Sequence, residues 1–132
     1  MPILIVPFYA AFLAALYIFL SARVIRVRQQ EGIAIGDGNN LRLRRAIRVH
    51  ANFAEYVPLA LILAAFVELQ QFAPVKLHAL CLTLIIGRVC HAYGVSQEKE
   101  DYRFRVAGMA LTFATIGISA LLLIGTFVVQ LL

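Results

Sequence analysis

The segment RVHANFAEYVP, residues 48–58, places side chains that could bind a charged molecule at the mouth of an apolar run. A helix turns by about 100° per residue, so Arg48, Asn52 and Glu55 fall on one face. Tyr56 borders this face and His50 points away from it. A cation, an amide and a carboxylate on one stripe can form an internal salt bridge, Arg48 with Glu55 or Asn52, or bind a ligand of mixed charge. Spacing alone leaves both interpretations open.

Basic residues elsewhere in the chain favour a ligand. Arg88 lies near the end of a later apolar segment, and Arg103 and Arg105 lie at the start of the last one. All are expected at the same membrane depth as Arg48, where cations then outnumber anions. Such an excess suits an anionic ligand, with Glu55 binding an ammonium group or orienting an arginine. Glutathione has the carboxylates, amine and peptide groups to fit this pattern, and anionic lipid headgroups would also satisfy the arginines.

Long apolar segments position these residues. The chain has 132 residues, of which 62% are hydrophobic and 14% charged, and its mean hydropathy is +0.86, outside the range of soluble domains. Uncharged runs such as residues 3–22 can cross about 30 Å of hydrocarbon as a helix. The sequence therefore predicts an all-α integral membrane protein, a four-transmembrane-helix bundle. It forms a single domain over residues 1–132, with helices at about 3–28, 41–70, 75–95 and 103–129.

The four predicted helices differ in kind. The first and last are apolar on all sides and are expected to face lipid. The middle two carry the ionisable residues and are expected to line the site, because charges within a bilayer usually face the bundle interior or a wet cavity.

The basic charge is distributed unevenly along the chain. The net charge is +5, and of the twelve basic residues only Lys76 lies away from one common end of the apolar segments. This is the positive-inside pattern and argues against nucleic-acid binding. It predicts a multi-pass protein with both long polar loops in the cytosol and both termini on the opposite side. Arg42 and Arg44 are expected to anchor lipid headgroups. The N-terminus lacks the basic region of a signal peptide, so the first helix is expected to remain.

Other polar and small residues have structural interpretations. Glu68 and His78 flank the short second loop and are expected to be solvated or to cap a helix. Gly117 and Gly125 are expected to allow close helix packing. The spacing of the cysteines and histidines predicts no metal site.

The segment RVHANFAEYVP resembles the second-helix signature of the MAPEG family, membrane-associated proteins in eicosanoid and glutathione metabolism. That signature is an arginine, a histidine or glutamine, an asparagine and a glutamate, followed by a proline. The matching positions are Arg48, His50, Asn52, Glu55, Tyr56 and Pro58. IGRVCHAYG, residues 86–94, resembles the end of the family's third helix, and RFRVAGM, residues 103–109, resembles the start of its fourth. The resemblance covers essentially the whole chain, which is similar in length to bacterial members.

The resemblance implies a homotrimer with glutathione, the co-substrate, bound between subunits, and no metal. Arg105 is the better match to the arginine that stabilises the glutathione thiolate, with Arg103 as the alternative. Val95 stands where many members carry a tyrosine, and Tyr93 or Tyr102 could take its place. The implied glutathione-binding residues are Arg26, Arg48, His50, Asn52, Glu55, Tyr56, Arg88, His91 and Tyr93.

The implied activity is that of a membrane-bound glutathione-dependent transferase or peroxidase. It would conjugate apolar electrophiles or reduce lipid hydroperoxides, which would enter from the bilayer between the first and fourth helices of adjacent subunits. The alternative is a non-catalytic membrane protein whose arginine cluster binds anionic lipid. A small transporter is less favoured, because the chain shows no inverted repeat.

Overall fold

Four helices make up the computed structural model, which describes residues 3–132. They are α1 (Ile5–Glu31), α2 (Leu41–Leu69), α3 (Pro74–Ser96) and α4 (Tyr102–Leu131). Each is long and apolar enough to cross a membrane. Even α3, with 23 residues, is longer than the roughly 20 residues that a span requires. The predicted all-α architecture of four membrane helices is confirmed.

The helix ends follow local chemistry. α1 continues beyond residue 28 and ends at Gly32, whose φ of 67° is the left-handed conformation that a helix C-terminus favours in glycine. α2 begins where the Asn40 side chain accepts a hydrogen bond from the backbone N–H of Leu43 at 2.9 Å. Pro74 opens α3 in the first turn. These signals set where the helices start and stop, and therefore which residues lie at the bundle ends.

One end of the bundle collects the basic residues, and we call it the arginine-rich end: the end of α1, the start of α2, the end of α3 and the start of α4. The loop from α1 to α2 is held there by Arg28, whose Nη1 donates to the carbonyl of Gly36 at 2.9 Å. Arg44 donates from Nε to Asp37 Oδ2 at 2.6 Å. The guanidinium of Arg44 holds the pKa of the Asp37 carboxyl below its usual range through this hydrogen bond.

The opposite end is held by the carboxylate of Glu68. Its oxygens accept hydrogen bonds from the backbone N–H groups of Leu4, Ile5 and Val6 at 2.7–2.8 Å. These are orphan donors at the start of α1, which lacks a side-chain cap from its own N-cap residue. The expectation that Glu68 caps a helix is confirmed, and the helix is α1 rather than its own.

α2 lies at the centre of the apolar core, where it packs against both α1 and α3. The main cluster takes Leu13 and Leu20 from α1 and Leu84 and Val95 from α3. α2 contributes four buried residues to it: Val49, Phe53, Val57 and Ala60. Pro58 lies within α2, which remains one helix across it. The core therefore fixes the rotation of α2 and decides which of its polar residues face inward.

α3 and α4 form the most extensive helix pair. A Cβ atom built on Gly108 would lie 2.5 Å from the backbone nitrogen of His91 and 2.6 Å from the carbonyl oxygen of Gly87. α4 also buries Thr112, Thr115 and Ser119, so one side of this helix is polar and faces protein, and the expectation that α4 is apolar on all sides is wrong. An ideal Cβ at Gly117 or Gly125 would have nothing of the described chain within 4 Å beyond its sequence neighbours and the backbone of its own helix, so neither glycine lies at a close helix contact within one chain.

Candidate functional site

Arg88 is the most deeply buried charged residue that the sequence singled out. It projects from α3 and is 1% exposed. Its Nη1 donates to Asn52 Oδ1 on α2 at 2.8 Å, and its Nη2 lies 3.5 Å from Met109 Sδ on α4. Arg88 therefore ties three helices together and fixes the orientation of the Asn52 side chain. His91, also buried, follows on α3 and packs where α4 approaches most closely.

A small cavity opens at the arginine-rich end, with a volume of about 170 Å³. We call it the arginine cavity, and its lining residues are Arg44, Arg45, Arg48, Val95, Glu100 and Arg105. Arg48 and Arg105 were predicted site residues, and α2 and α4 bring them together here. Four guanidinium groups against one carboxylate leave a formal charge of +3. Such a cavity suits an anion with several acceptor oxygens.

Not all of the four arginines are free to bind a ligand. Arg44 pairs with Asp37 outside the cavity. Arg45 donates from Nη1 to the carbonyl oxygen of Val95 at 3.0 Å and to Glu100 Oε2 at 3.1 Å. Arg105 donates to Glu100 Oε1 at 3.4 Å. Among residues 3–132 the Arg48 guanidinium has neither a hydrogen bond nor an ion pair, which makes it the arginine of the cavity that is open to a ligand.

The rest of the α2 polar stripe lies along the protein surface. Glu55 is exposed and has no ion-pair partner in the described part of the chain, so the salt bridge between Arg48 and Glu55 is not formed. The amide of Asn52 accepts from Arg88 instead. Tyr56 is half-buried and packs edge-on against Phe113 at 5.5 Å. A carboxylate and a guanidinium this close to a membrane span are costly against lipid, so this face requires a polar partner.

Two predicted binding residues lie on the α1 side of the bundle. Arg26 lines a separate cavity of about 280 Å³ between α1 and the start of α2, together with Arg23 and Arg42. His50 turns towards α1, where its Nε2 lies 3.0 Å from Ser21 Oγ and its ring stacks on Tyr17 at 4.8 Å. Within one chain, neither residue lines the arginine cavity.

The start of α4 distinguishes the two candidate catalytic arginines. Both are exposed, but Arg105 lines the arginine cavity and Arg103 does not. The backbone N–H of Arg103 donates to the capping side chain of Asp101 at 3.0 Å. Tyr93 is also exposed and packs edge-on against Phe104 at 5.1 Å.

An apolar groove of about 470 Å³ runs between α1 and α2. It is lined entirely by apolar and aromatic residues, including Leu13, Val57, Pro58 and Leu61. Tyr17 lines it as well, and the same ring stacks on His50. The groove thus connects the apolar middle of the bundle with the polar residues near its arginine-rich end, and it could hold an apolar molecule.

Sequence reasoning did not identify Arg45 or Glu100 as lining residues of the arginine cavity. Arg45 lies one turn before Arg48 on the same face of α2, and that spacing was the available signal. Glu100 lies in the α3–α4 loop, where a carboxylate ordinarily suggests solvation. Its burial between two arginines depends on how α2 and α4 meet.

Comparison with known proteins identifies the family to which this chain is similar. The model of the MAPEG family matches residues 6–125. The chain is also 35% identical over 108 residues to a protein named inner membrane protein YecN of Escherichia coli strain K12, covering 82% of this chain and 81% of that protein. The protein of the same name from E. coli O6:H1 strain CFT073 matches equally. With four apolar helices and an inner-membrane relative, the chain is an integral multi-pass membrane protein.

Proposed function

Since the chain belongs to the MAPEG family, we propose that it is a membrane-bound glutathione-dependent transferase, with a second activity as a glutathione peroxidase. The observation that carries this proposal is the arginine cavity. Its formal charge is +3, and it contains Arg105 together with Arg48, whose guanidinium has no ion-pair partner among residues 3–132. Glutathione has two carboxylates for such a cavity and a thiol that must lose a proton to react.

Arg105 is the proposed catalytic residue. A free thiol has a pKa of about 8.5, so little of it is ionised at neutral pH. A guanidinium beside the sulfur favours the thiolate electrostatically. The thiolate then attacks the electrophilic carbon of the second substrate, a carbon–sulfur bond forms, and the leaving group departs with its electron pair.

The tripeptide is held by the polar residues of α2 and α3. In the proposal Arg48 binds a carboxylate of the ligand, and the exposed Glu55 binds its ammonium group. Arg88 keeps the Asn52 amide oriented through the 2.8 Å hydrogen bond, and Tyr56, His91 and Tyr93 complete the surroundings.

Arg26 and His50 contribute from a neighbouring copy of the chain. They face the α1 side of the bundle, away from the arginine cavity, so one ligand contacting both sets lies between two subunits. The uncovered stripe of Arg48 and Glu55 also requires a polar cover within the membrane. The proposed assembly is a homotrimer. Light scattering in a mild detergent measures this directly: a mass of three chains is expected, and a single-chain mass contradicts the assembly.

The second substrate is apolar. The groove between α1 and α2 has a lining without charged residues and offers a route from the bilayer towards the polar end.

The test of the catalytic role is conjugation of an aromatic chloride with glutathione. Arg105→Ala is expected to lower kcat/KM at least about tenfold, the equivalent of about 1.4 kcal/mol of transition-state stabilisation. The matched control is Arg103→Ala, which removes the same charge from the same turn of α4 without touching the cavity; its kcat/KM is expected to stay within about twofold of wild type. Equal rates for wild type and Arg105→Ala would reject the role.

A second candidate function is binding of anionic lipid without catalysis. The cavity lined by Arg23, Arg26 and Arg42 favours this function, because three guanidinium groups could bind a lipid headgroup. The rest of its lining, including Phe19 and Val27, is apolar and could contact an acyl chain. Thermal-shift titration separates the two functions. Saturable stabilisation by glutathione that is lost in Arg48→Ala and Glu55→Ala supports the transferase. Stabilisation by phosphatidylglycerol vesicles alone, lost in Arg26→Ala, supports the lipid-binding protein.

A further inference from the structure

The arginine cavity already contains a carboxylate of the protein itself. Glu100 lies in the α3–α4 loop, and its side chain is only 9% exposed. Its Oε2 accepts from Arg45 Nη1 at 3.1 Å, and its Oε1 accepts from Arg105 Nη1 at 3.4 Å. Each oxygen is thus held by a different helix. An anionic ligand that enters the cavity meets Arg105 already engaged.

The two ion pairs of Glu100 are unequal. The Arg45 side chain is 19% exposed and is held a second time by the carbonyl oxygen of Val95. The Arg105 side chain is 51% exposed and makes the longer of the two contacts. Breaking a buried pair leaves an uncompensated charge, whereas a half-exposed pair contributes little and exchanges easily. Arg105 is therefore the partner that can leave Glu100, and Arg45 is the one that stays.

We propose that Glu100 is a resident counter-ion of the arginine cavity, which Arg105 exchanges for the anionic sulfur of the bound thiol. Glu100 is then a positioning residue: it orients Arg105 in the empty cavity and limits how tightly the cavity holds an anion. This inference rests on the proposed function, in which Arg105 contacts the glutathione sulfur.

The surroundings of Glu100 define the expected effect. The charged groups facing it are Arg44, Arg45 and Arg48 from α2 and Arg105 from α4, and buried His91 from α3 lies within electrostatic range of both Glu100 and Arg105. A carboxylate close to a forming thiolate disfavours ionisation of the thiol. Replacing it by the isosteric amide removes that repulsion and leaves all four guanidinium groups in place.

The experiment compares Glu100→Gln with Glu98→Gln in the full-length protein. Glu98 lies in the same loop, is exposed and has no ion-pair partner among residues 3–132. Each variant loses one carboxylate, so the net charge changes equally in both. Glutathione affinity is measured by calorimetry, and ionisation of the bound thiol by ultraviolet absorbance across pH. Glu100→Gln is expected to bind about fivefold more tightly, equivalent to about 1 kcal/mol, and to form thiolate at lower pH. Glu98→Gln should match wild type in both measurements.

The proposal is overturned if Glu100→Gln binds glutathione no more tightly than wild type, or if its thiolate forms at unchanged pH. Should Glu100→Gln not fold, Glu100→Asp keeps the charge but withdraws the carboxylate by one methylene; an affinity above that of wild type is expected, and an equal one overturns the proposal. If neither wild type nor variants bind glutathione, the proposed function fails. Titration with inorganic sulfate then decides for Glu100 alone: tighter binding by Glu100→Gln supports the counter-ion, and equal binding contradicts it.

Discussion

Arg88 carries a charge in the interior of the bundle with no carboxylate partner in the described chain. Among residues 3–132 its one oxygen acceptor is Asn52, and its buried Nε atom has no partner there. A buried guanidinium satisfied by a neutral amide is costly, and loss of that amide leaves most of the cost uncompensated. At the scale of single residues, the pair of Arg88 and Asn52 is therefore the link between stability and the proposed site.

Asn52→Ala is expected to destabilise the protein by about 2 kcal/mol, because a buried charged donor loses its acceptor. The unfolding midpoint in detergent should fall by several degrees. Asn52→Asp is the matched variant: it places a carboxylate against Arg88 and should unfold at or above the wild-type temperature. A midpoint unchanged in Asn52→Ala would mean that the hydrogen bond to Arg88 contributes nothing.

At the scale of helices, the close approach of α3 and α4 positions Arg105, the proposed catalytic residue. Gly108 on α4 leaves no room for a side chain against the backbone of His91 and Gly87. Rigid backbone on both sides cannot shift as a flexible side chain could. This close contact of Gly108 with Gly87 and His91, which we call the seam, sets the axial position of α4 relative to α3. Arg105 lies one turn before Gly108. A change in this seam therefore moves Arg105 relative to the α2 residues of the cavity.

Gly108→Ala should overpack the seam and destabilise the protein by about 1–3 kcal/mol. Glutathione binding should weaken with it, since Arg105 is displaced. Gly117→Ala on the same helix is the control: its new methyl group meets open space, and alanine is the better helix former by about 1 kcal/mol. Thermal unfolding of both variants measures the difference, and equal midpoints would show that the seam tolerates a side chain.

At the scale of the whole molecule, the two ends of the bundle are chemically different. One end carries the arginine cavity and the arginines around the α1–α2 loop. The other end is closed by Glu68 on the start of α1 and by Tyr9, whose hydroxyl lies 2.9 Å from His78 Nδ1. Positive charge in the short loops that flank membrane helices sets the orientation of those helices. We therefore propose that the arginine-rich end faces the cytosol.

A reporter fusion measures this orientation. Alkaline phosphatase fused after Leu132 is expected to be active, because the proposed orientation puts both termini outside the cytosol, while a fluorescent protein fused there should stay dark. The same reporters joined after Glu98, in the α3–α4 loop, should give the opposite result. Phosphatase activity at Glu98 and none at Leu132 would contradict the proposed orientation and place the arginine cavity outside the cytosol.

Much of the fold follows from local patterns. Apolar runs longer than a bilayer predict the helices, and Gly32 and Pro74 mark where two of them end or begin. The polar face of α2 was also readable, because Arg48, Asn52 and Glu55 share a helical face at any tertiary arrangement. The prediction that His50 points away from that face is confirmed by its contacts with Ser21 and Tyr17.

The pairing of charges was not predictable in the same way. Spacing allowed a salt bridge between Arg48 and Glu55, yet within the described part of the chain Arg48 has no ion-pair partner and Glu55 is exposed. Glu100, in a loop that reads as solvated, is buried between Arg45 and Arg105. The contact between Arg45 and Glu100 joins residues 55 positions apart in the chain, and helix periodicity carries no information on which helix lies opposite.

The sequence by itself determined that this chain forms membrane helices, how they are ordered, where its positive charge collects and to which family it belongs. Each of these follows from hydrophobicity, charge or motif spacing, which are properties of neighbouring residues. Only the tertiary structure decided that Asn52 serves Arg88, that Arg48 remains free and that Glu100 shares the cavity with Arg105. The reason is geometric: a guanidinium finds its partner within about 4 Å, and distances of that size depend on the rotation and height of packed helices.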